Sequence, residues 1–199
     1  MDNRLPAVLI SLAFLGGMLC CAKKGDIYHT TFTKADSVTD TYLSLQDSVL
    51  RSWNMIIHDD NQKIKAMRKL VHELQVTSSV DSLGVYEEKL DHLKEMRYDV
   101  ESMSDRNVIE QYDQLSQQLT SDIISIAERR SEFPYNTTLQ KLVQEIRVAD
   151  QRIDLFKSEY DVITKRFNAF LRENKIYLSE VGQKDSLELR PLFQSSASD

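Results

Sequence analysis

The fold is decided by residues 137–170, TTLQKLVQEIRVADQRIDLFKSEYDVITKRFNAF, in which apolar side chains recur at alternating spacings of three and four. This spacing places them on one face of an α-helix, because a helix turns once every 3.6 residues. Asn136 is suited to cap the start of this helix, and Pro134 cannot continue a helix that precedes it. The predicted buried face consists of Leu139, Leu142, Ile146, Ile153, Phe156, Tyr160, Ile163, Phe167 and Phe170.

The same periodicity predicts three earlier helices. The first is long, about residues 33–76, and Asp60 interrupts its apolar stripe. The second carries a stripe from Leu83 to Met103, and the third carries one from Val108 to Ile126. Glycine, which destabilises helix interiors, occurs only five times in 199 residues. We predict an all-α fold, an antiparallel four-helix bundle or coiled coil with two long and two shorter helices.

The unequal helix lengths predict where the bundle is thick. The first and fourth helices span about 40 residues, or roughly 60 Å at 1.5 Å per residue, and the other two are about half as long. The short hairpin therefore covers only one end of the long pair and leaves a two-helix stalk at the other. If Leu74 lies opposite Leu139, antiparallel pairing puts Trp53 near Tyr160 and Tyr42 near Leu171.

An uninterrupted apolar run from Leu5 to Leu19 follows Arg4 and ends at two cysteines, Cys20 and Cys21. A basic start, a short apolar core and small residues at the cut are typical of a secretory signal. The run is shorter than the ~20 residues of a spanning helix, although an uncleaved anchor is the alternative. We predict a signal peptide at residues 1–20, a tether at 21–32 and a helical bundle at 33–176.

The segment Met18-Leu19-Cys20-Cys21 resembles a bacterial lipoprotein box, which is cut just before a lipidated cysteine. Cys21 is the better acceptor, because Cys20 then supplies the small residue at the cut. Lipidation of Cys20 and an ordinary secretory signal remain as alternatives. We expect a lipoprotein of the bacterial cell envelope, held at the membrane by an N-terminal lipid anchor and facing the periplasm or the cell exterior.

The composition argues against a nucleic-acid partner, since the net charge is −6 and binding to a phosphate backbone needs clustered Lys and Arg side chains. The densest basic cluster is Lys63, Lys65, Arg68 and Lys69, which we interpret as a solvated helix face. Enzymatic motifs are also missing. No histidine completes the Glu-x-x-His pattern of di-iron bundles, and the sequence has no glycine-rich phosphate loop. We predict no catalytic residues, no metal and no cofactor.

Aromatic residues concentrate in the predicted stalk. An aromatic seam too wide for two helices would recruit another chain, either a protein partner or a second copy. The alternative is that the seam is simply the core of the long pair, with Asp161 and Lys165 forming an ordinary i to i+4 pair. The candidate interaction seam consists of Trp53, Arg152, Phe156, Tyr160, Phe167 and Phe170.

Four serines lie in Asp-Ser-aliphatic triplets, which resemble the O-glycan acceptors on envelope proteins of some bacteria. Helix capping is the alternative explanation, because Asp and Ser are both favoured N-caps. The candidate acceptors are Ser37, Ser48, Ser82 and Ser186.

Two segments together resemble the LemA family. Residues 49–56, VLRSWNMI, are similar to the V-x-x-A-W-x-x-I signature of that family's first helix. Residues 150–168, DQRIDLFKSEYDVITKRFN, are similar to its E-x-R-I-x(6)-Y-N-x(5)-Y-N pattern, and Phe133-Pro134 stands where the family has Tyr-Pro. The similarity spans about residues 40–175.

The resemblance implies a membrane-associated helical bundle without established catalytic residues. The family's basic Q-L-K-R-R and I-P segments are replaced here by residues 59–63 and 67–68, which puts any partner of those segments in doubt. We expect a non-catalytic scaffold or interaction module. A periplasmic coiled-coil chaperone and an accessory subunit of an envelope enzyme are the alternatives. We expect residues 177–199, which are mostly polar, to form a flexible tail. The alternative is that its one short apolar patch docks on the bundle, although periodicity does not support this; the patch consists of Leu187, Leu189, Leu192 and Phe193.

Overall fold

The computed structural model describes residues 33–76, 83–180 and 187–194, and these residues form four α-helices. The helices are α1 (Lys34–Val76), α2 (Gly84–Glu95), α3 (Arg106–Glu128) and α4 (Thr137–Glu180). Two 3₁₀ turns, Ser102–Ser104 and Phe133–Tyr135, precede α3 and α4. The predicted all-α bundle with two long and two shorter helices is confirmed. The predicted signal peptide and tether, residues 1–32, fall outside the described ranges.

The two long helices pack antiparallel along each other. The ring centroids of Trp53 and Tyr160 lie 5.9 Å apart, as the register predicted. Nearer the start of α1, Tyr42 packs on Phe167 at 5.8 Å, one turn from the predicted Leu171. Tyr42, Tyr160 and Phe167 are at most 1% exposed, so they belong to the core of the long pair.

Side-chain caps set the starts of α3 and α4. Asp105 accepts a hydrogen bond from the Asn107 backbone N–H, and Asn136 accepts from the N–H groups of Thr138 and Leu139, each at 3.1 Å. These bonds satisfy N–H groups that have no partner inside their helices. The predicted cap at Asn136 is confirmed.

The second helix is shorter than predicted, because α2 ends at Glu95 instead of continuing to Met103. The Asp99 carboxylate accepts from the N–H groups of Glu101 (3.1 Å) and Ser102 (2.8 Å). Such local bonds offer the backbone an alternative to the helix. The resulting loop places Tyr98 and Met103 in the core, 4% and 2% exposed.

The polar side-chain contacts between the short helices and the long pair lie at one end of that pair. On α1 these contacts begin at Asp60, and on α4 they extend as far as Lys157. We term residues 34–53 of α1 and 160–180 of α4, beyond these contacts, the stalk.

Part of the C-terminal tail packs against the bundle. Helix α4 continues to Glu180, four residues past the predicted end of the bundle at residue 176. Residues 187–194, which we term the strap, run back along α4 toward its start. The predicted boundary is therefore too early, and the strap docks on the bundle through the contacts that follow; the flexibility of the tail stays a prediction.

Candidate functional site

Two polar side chains of α4 hold the strap by its backbone. The Arg190 N–H donates to Asn168 Oδ1 (2.9 Å), and Asn168 Nδ2 donates to the Arg190 carbonyl oxygen (2.8 Å). Two turns earlier on α4, the two carboxylate oxygens of Asp161 accept from the N–H groups of Phe193 and Gln194, both at 2.8 Å. The expectation that Asp161 serves as an i to i+4 partner of Lys165 misses this role. These four hydrogen bonds involve only main-chain atoms of the strap, so they do not depend on the identity of its side chains.

Phe193 is the one aromatic anchor of the strap. Its ring stacks on Trp53, with centroids 6.2 Å apart and planes 13° apart, and meets Tyr98 and Tyr160 edge-on at 5.8 and 5.4 Å. Lys157 Nζ lies 5.4 Å from the same ring, a cation–π distance. We term the surface formed by Trp53, Tyr98, Tyr160, Asp161 and Asn168 the strap groove.

The strap only partly fills this surface. A cavity of about 350 Å³ lies beside Arg190, and its walls are mainly apolar. None of residues 187–194 is buried, whereas Trp53, Tyr160 and Asp161 are at most 8% exposed. The cavity is lined by Gln46, Asp47, Val49, Leu50, Trp53, Val100, Tyr160, Phe167 and Arg190.

The structure divides the predicted interaction seam. Trp53, Tyr160 and Phe167 are buried, and Phe156 and Phe170 are half-buried against the core. The seam is thus not an open surface in this state, because the long pair and the strap cover it. The alternative of a stalk core accounts for the buried members.

Arg152, the remaining seam residue, belongs to a different contact. Its guanidinium makes two parallel hydrogen bonds of 2.8 Å to the carboxylate of Asp59, which is 4% exposed. This bidentate geometry ties α1 to α4.

A second polar cluster lies between α1, α3, α4 and the loop that follows α2. Asp60, 5% exposed, forms an ion pair of 2.5 Å with Arg97 and accepts a 2.5 Å hydrogen bond from the Tyr112 hydroxyl. Arg97 Nη1 also donates to Asn61 Oδ1 at 2.9 Å. These contacts explain why an acid can interrupt the apolar stripe of α1.

Two lysines complete this cluster around a cavity of about 230 Å³. Lys63 Nζ donates to Ser116 Oγ (2.8 Å) and Asp150 Oδ1 (2.9 Å), and Lys157 Nζ donates to both Asp113 oxygens at 2.8 Å. Lys63 is only 4% exposed. Its assignment to a solvated face is wrong, because its buried ammonium bonds to the buried Ser116 and the partly exposed Asp150 on other helices.

The protonation of the cluster follows from burial and charge. Burial raises the pKa of Tyr112 well above its usual value of 10, and the nearby Asp60 carboxylate raises it further. Burial likewise raises the pKa of Tyr98. Burial, the largest single effect, lowers the pKa of Arg97, but the nearby Asp60 carboxylate and Tyr112 together outweigh it and raise that pKa. Both tyrosines are therefore neutral, Tyr112 donates to Asp60, and the arginine is a fixed cation.

Among the candidate O-glycan acceptors, Ser37 is exposed on α1. Ser48 is half-buried, and its hydroxyl donates to the Ser44 carbonyl at 2.8 Å. Ser82, Ser186 and the lipidation candidate Cys21 lie outside the described residues.

Within residues 33–76, 83–180 and 187–194, no group of three or more His, Cys, Asp or Glu side chains is placed to hold a metal ion. The helices of these ranges also include none with the length and apolarity that a membrane span requires.

The fold and its site define an all-α bundle whose aromatic groove holds its own C-terminal segment. Comparisons of the chain with protein-family models, with curated proteins and with solved structures found no match.

Proposed function

We propose that the protein is a divergent, LemA-like lipoprotein that acts as a non-catalytic interaction module at the bacterial cell envelope. The observation that carries this proposal is the strap groove. Asn168 and Asp161 hold a non-helical polypeptide segment by its backbone, and Trp53 contributes an aromatic platform. Backbone pairing with a single aromatic pocket is a general mode of peptide recognition.

The polar cluster supports a structural role for the charges in the bundle. Its cations face carboxylates across the bundle, as Lys63 faces Asp150 and Lys157 faces Asp113. Ion pairs of this kind fix the relative positions of helices and specify one packing arrangement.

The membrane association in this proposal rests on the lipoprotein-type sequence before Cys21 and on the LemA-like motifs. One acyl chain alone binds a bilayer only marginally, so a diacylglycerol on Cys21 would suit a permanent anchor. The bundle would then stand at the membrane surface as a rigid interaction platform.

The experiment is site-specific photo-crosslinking in intact bacterial cells. A photoreactive amino acid replaces Leu50, which is 56% exposed beside the strap, or Tyr135, which is 88% exposed in the turn before α4. One dominant partner adduct from either position supports a dedicated interaction module, and an enzyme as that partner favours the accessory-subunit alternative. Many weak adducts favour a periplasmic chaperone. Self-adducts alone, or none, from both positions would contradict the proposal.

A further inference from the structure

We propose that the strap groove binds a peptide segment of another protein, which bends at its aromatic anchor as the strap does at Phe193 and Gln194, and that the strap is its intramolecular competitor. This inference rests on the proposed role as an interaction module and specifies the chemistry of the partner. The ligand has an aromatic side chain in place of Phe193 and an apolar side chain in place of Arg190.

The first argument is the asymmetry between the strap and its groove. The groove residues Trp53, Tyr160 and Asp161 are buried, whereas the strap lies on top of them as a segment without helix or strand that bends at Phe193 and Gln194. In this bend the consecutive backbone N–H groups of Phe193 and Gln194 reach the same carboxylate. Another chain that bends at the same point offers the same two N–H groups, so the groove can exchange one segment for another.

The second argument concerns Pro191, which shows which backbone donors the groove requires. Proline has no N–H, and it lies between Arg190 and the donors at Phe193 and Gln194. The groove therefore needs no donor at this position. Proline also fixes φ near −65°, which restricts the backbone of the ligand at this position and lowers the entropy lost on binding.

The third argument is the unfilled cavity of about 350 Å³ beside Arg190. Its walls include the apolar side chains of Val49, Leu50 and Phe167, and its polar members are Gln46 and Asp47. The half-buried side chain of Arg190 leaves this volume unfilled. An apolar side chain would bury surface there and give a competing peptide its advantage over the strap.

The test uses the full-length chain with Phe193→Ala, which removes the anchor of the strap. Three synthetic peptides are titrated: residues 187–194 (LELRPLFQ), the same peptide with Phe193→Ala, and the same peptide with Arg190→Leu. Trp53 is the only tryptophan of the chain, so its emission reports directly on the groove.

The proposal expects saturable binding of the native peptide and binding at least about tenfold weaker without the phenylalanine, because an aromatic anchor dominates such sites. The Arg190→Leu peptide should bind roughly threefold tighter or more. Wild-type chain should bind all three more weakly than the variant, because its strap competes at a high effective concentration.

Several outcomes would overturn the proposal: no binding to the variant, equal affinity for the peptides with and without phenylalanine, or equal affinity of variant and wild-type chains. A wild-type dimer that excess peptide dissociates would also overturn it, in favour of the strap of a second copy as occupant. If circular dichroism shows that Phe193→Ala unfolds the chain, Phe193→Leu replaces it. Partner adducts in the crosslinking experiment without peptide binding would leave the interaction module standing and reject only this inference.

Discussion

Trp53 of α1 and Phe193 of the strap stack with ring planes only 13° apart, across 140 residues of sequence. This contact joins the long helical pair to the C-terminal segment and completes the cover over the aromatic stalk. Because the chain has a single tryptophan, the contact can be followed in solution.

Replacing Phe193 with alanine should uncover Trp53. We expect its fluorescence emission to move to longer wavelength, because water reaches the indole ring once the stacked ring is gone. Helical content should remain, since the strap contributes no helix. Tyr135→Ala is the matched control, because Tyr135 is 88% exposed and distant in sequence from the groove. Unchanged emission in Phe193→Ala would show that the strap does not cover Trp53.

Asp60→Ala should strongly destabilise the bundle. The change leaves Arg97 and the Tyr112 hydroxyl without their buried carboxylate. Breaking a buried ion pair from one side typically lowers the free energy of unfolding by about 3–5 kcal/mol. Urea denaturation followed by circular dichroism measures the loss.

The control for Asp60→Ala is Glu128→Ala, which removes the exposed ion pair with Arg147. Exposed pairs contribute about 0–1 kcal/mol, so this variant should unfold close to the wild type. Equal losses in the two variants would contradict a structural role for the buried pair.

Stability should fall as the pH rises above 10. Tyr98 and Tyr112 have raised pKa values in the folded chain, so they keep their protons there while unfolded tyrosines ionise from about pH 10. The unfolded state then binds fewer protons, and the free energy of unfolding decreases by up to ~1.4 kcal/mol per pH unit for each tyrosine. Denaturation midpoints between pH 8 and 11 test this.

Replacing Tyr98 or Tyr112 with phenylalanine should flatten the alkaline decrease, because each variant lacks one ionising group. The hydroxyl of Tyr112 is also lost from Asp60, so that variant should start from a lower stability at pH 8. If both variants lose stability with rising pH as steeply as the wild type, Tyr98 and Tyr112 are not the cause of the alkaline decrease.

Cys21→Ser should abolish incorporation of a palmitate analogue in bacterial cells and move the protein from the membrane fraction to the soluble fraction. Cys20→Ser should preserve both properties, since serine is also small enough for the residue before the cut. Lipid labelling followed by fractionation distinguishes them. Loss of the label only in Cys20→Ser would assign the lipid to Cys20 instead.

The helices and their register were predictable, because apolar periodicity is a property of local sequence. The spacing from Trp53 to Leu74 and from Leu139 to Tyr160 placed Trp53 beside Tyr160, and the structure confirms that contact. The cap at Asn136 was equally local.

The polar contacts were not predictable in this way, because each joins residues far apart in the chain. Asp60 was visible as an interruption of the stripe, but its partner Arg97 lies in a loop that the periodicity extended as helix. Lys63 stood within a basic run that suggested solvent exposure, and only the fold brings Asp150 to it.

Docking of the strap stayed an alternative at the level of sequence, because the strap has no periodicity. Its binding depends on side chains of α4 that accept from its backbone, and backbone donors leave no trace in a sequence. The only available signals were the apolar residues Leu187 and Phe193 in a mostly polar tail and the aromatic excess of the stalk. Together they could have suggested that the tail covers the seam.

Amide hydrogen exchange at Phe193 and Gln194 tests most directly whether the groove holds a non-helical chain segment. In the wild type these two amides should exchange at least about tenfold more slowly than in an unstructured peptide, because both donate to Asp161. Asp161→Ala should abolish this protection, and Glu159→Ala, at an exposed position of α4, should preserve it. If both amides of the wild type exchange as fast as those of an unstructured peptide, the groove does not hold the strap in solution, which contradicts our central claim.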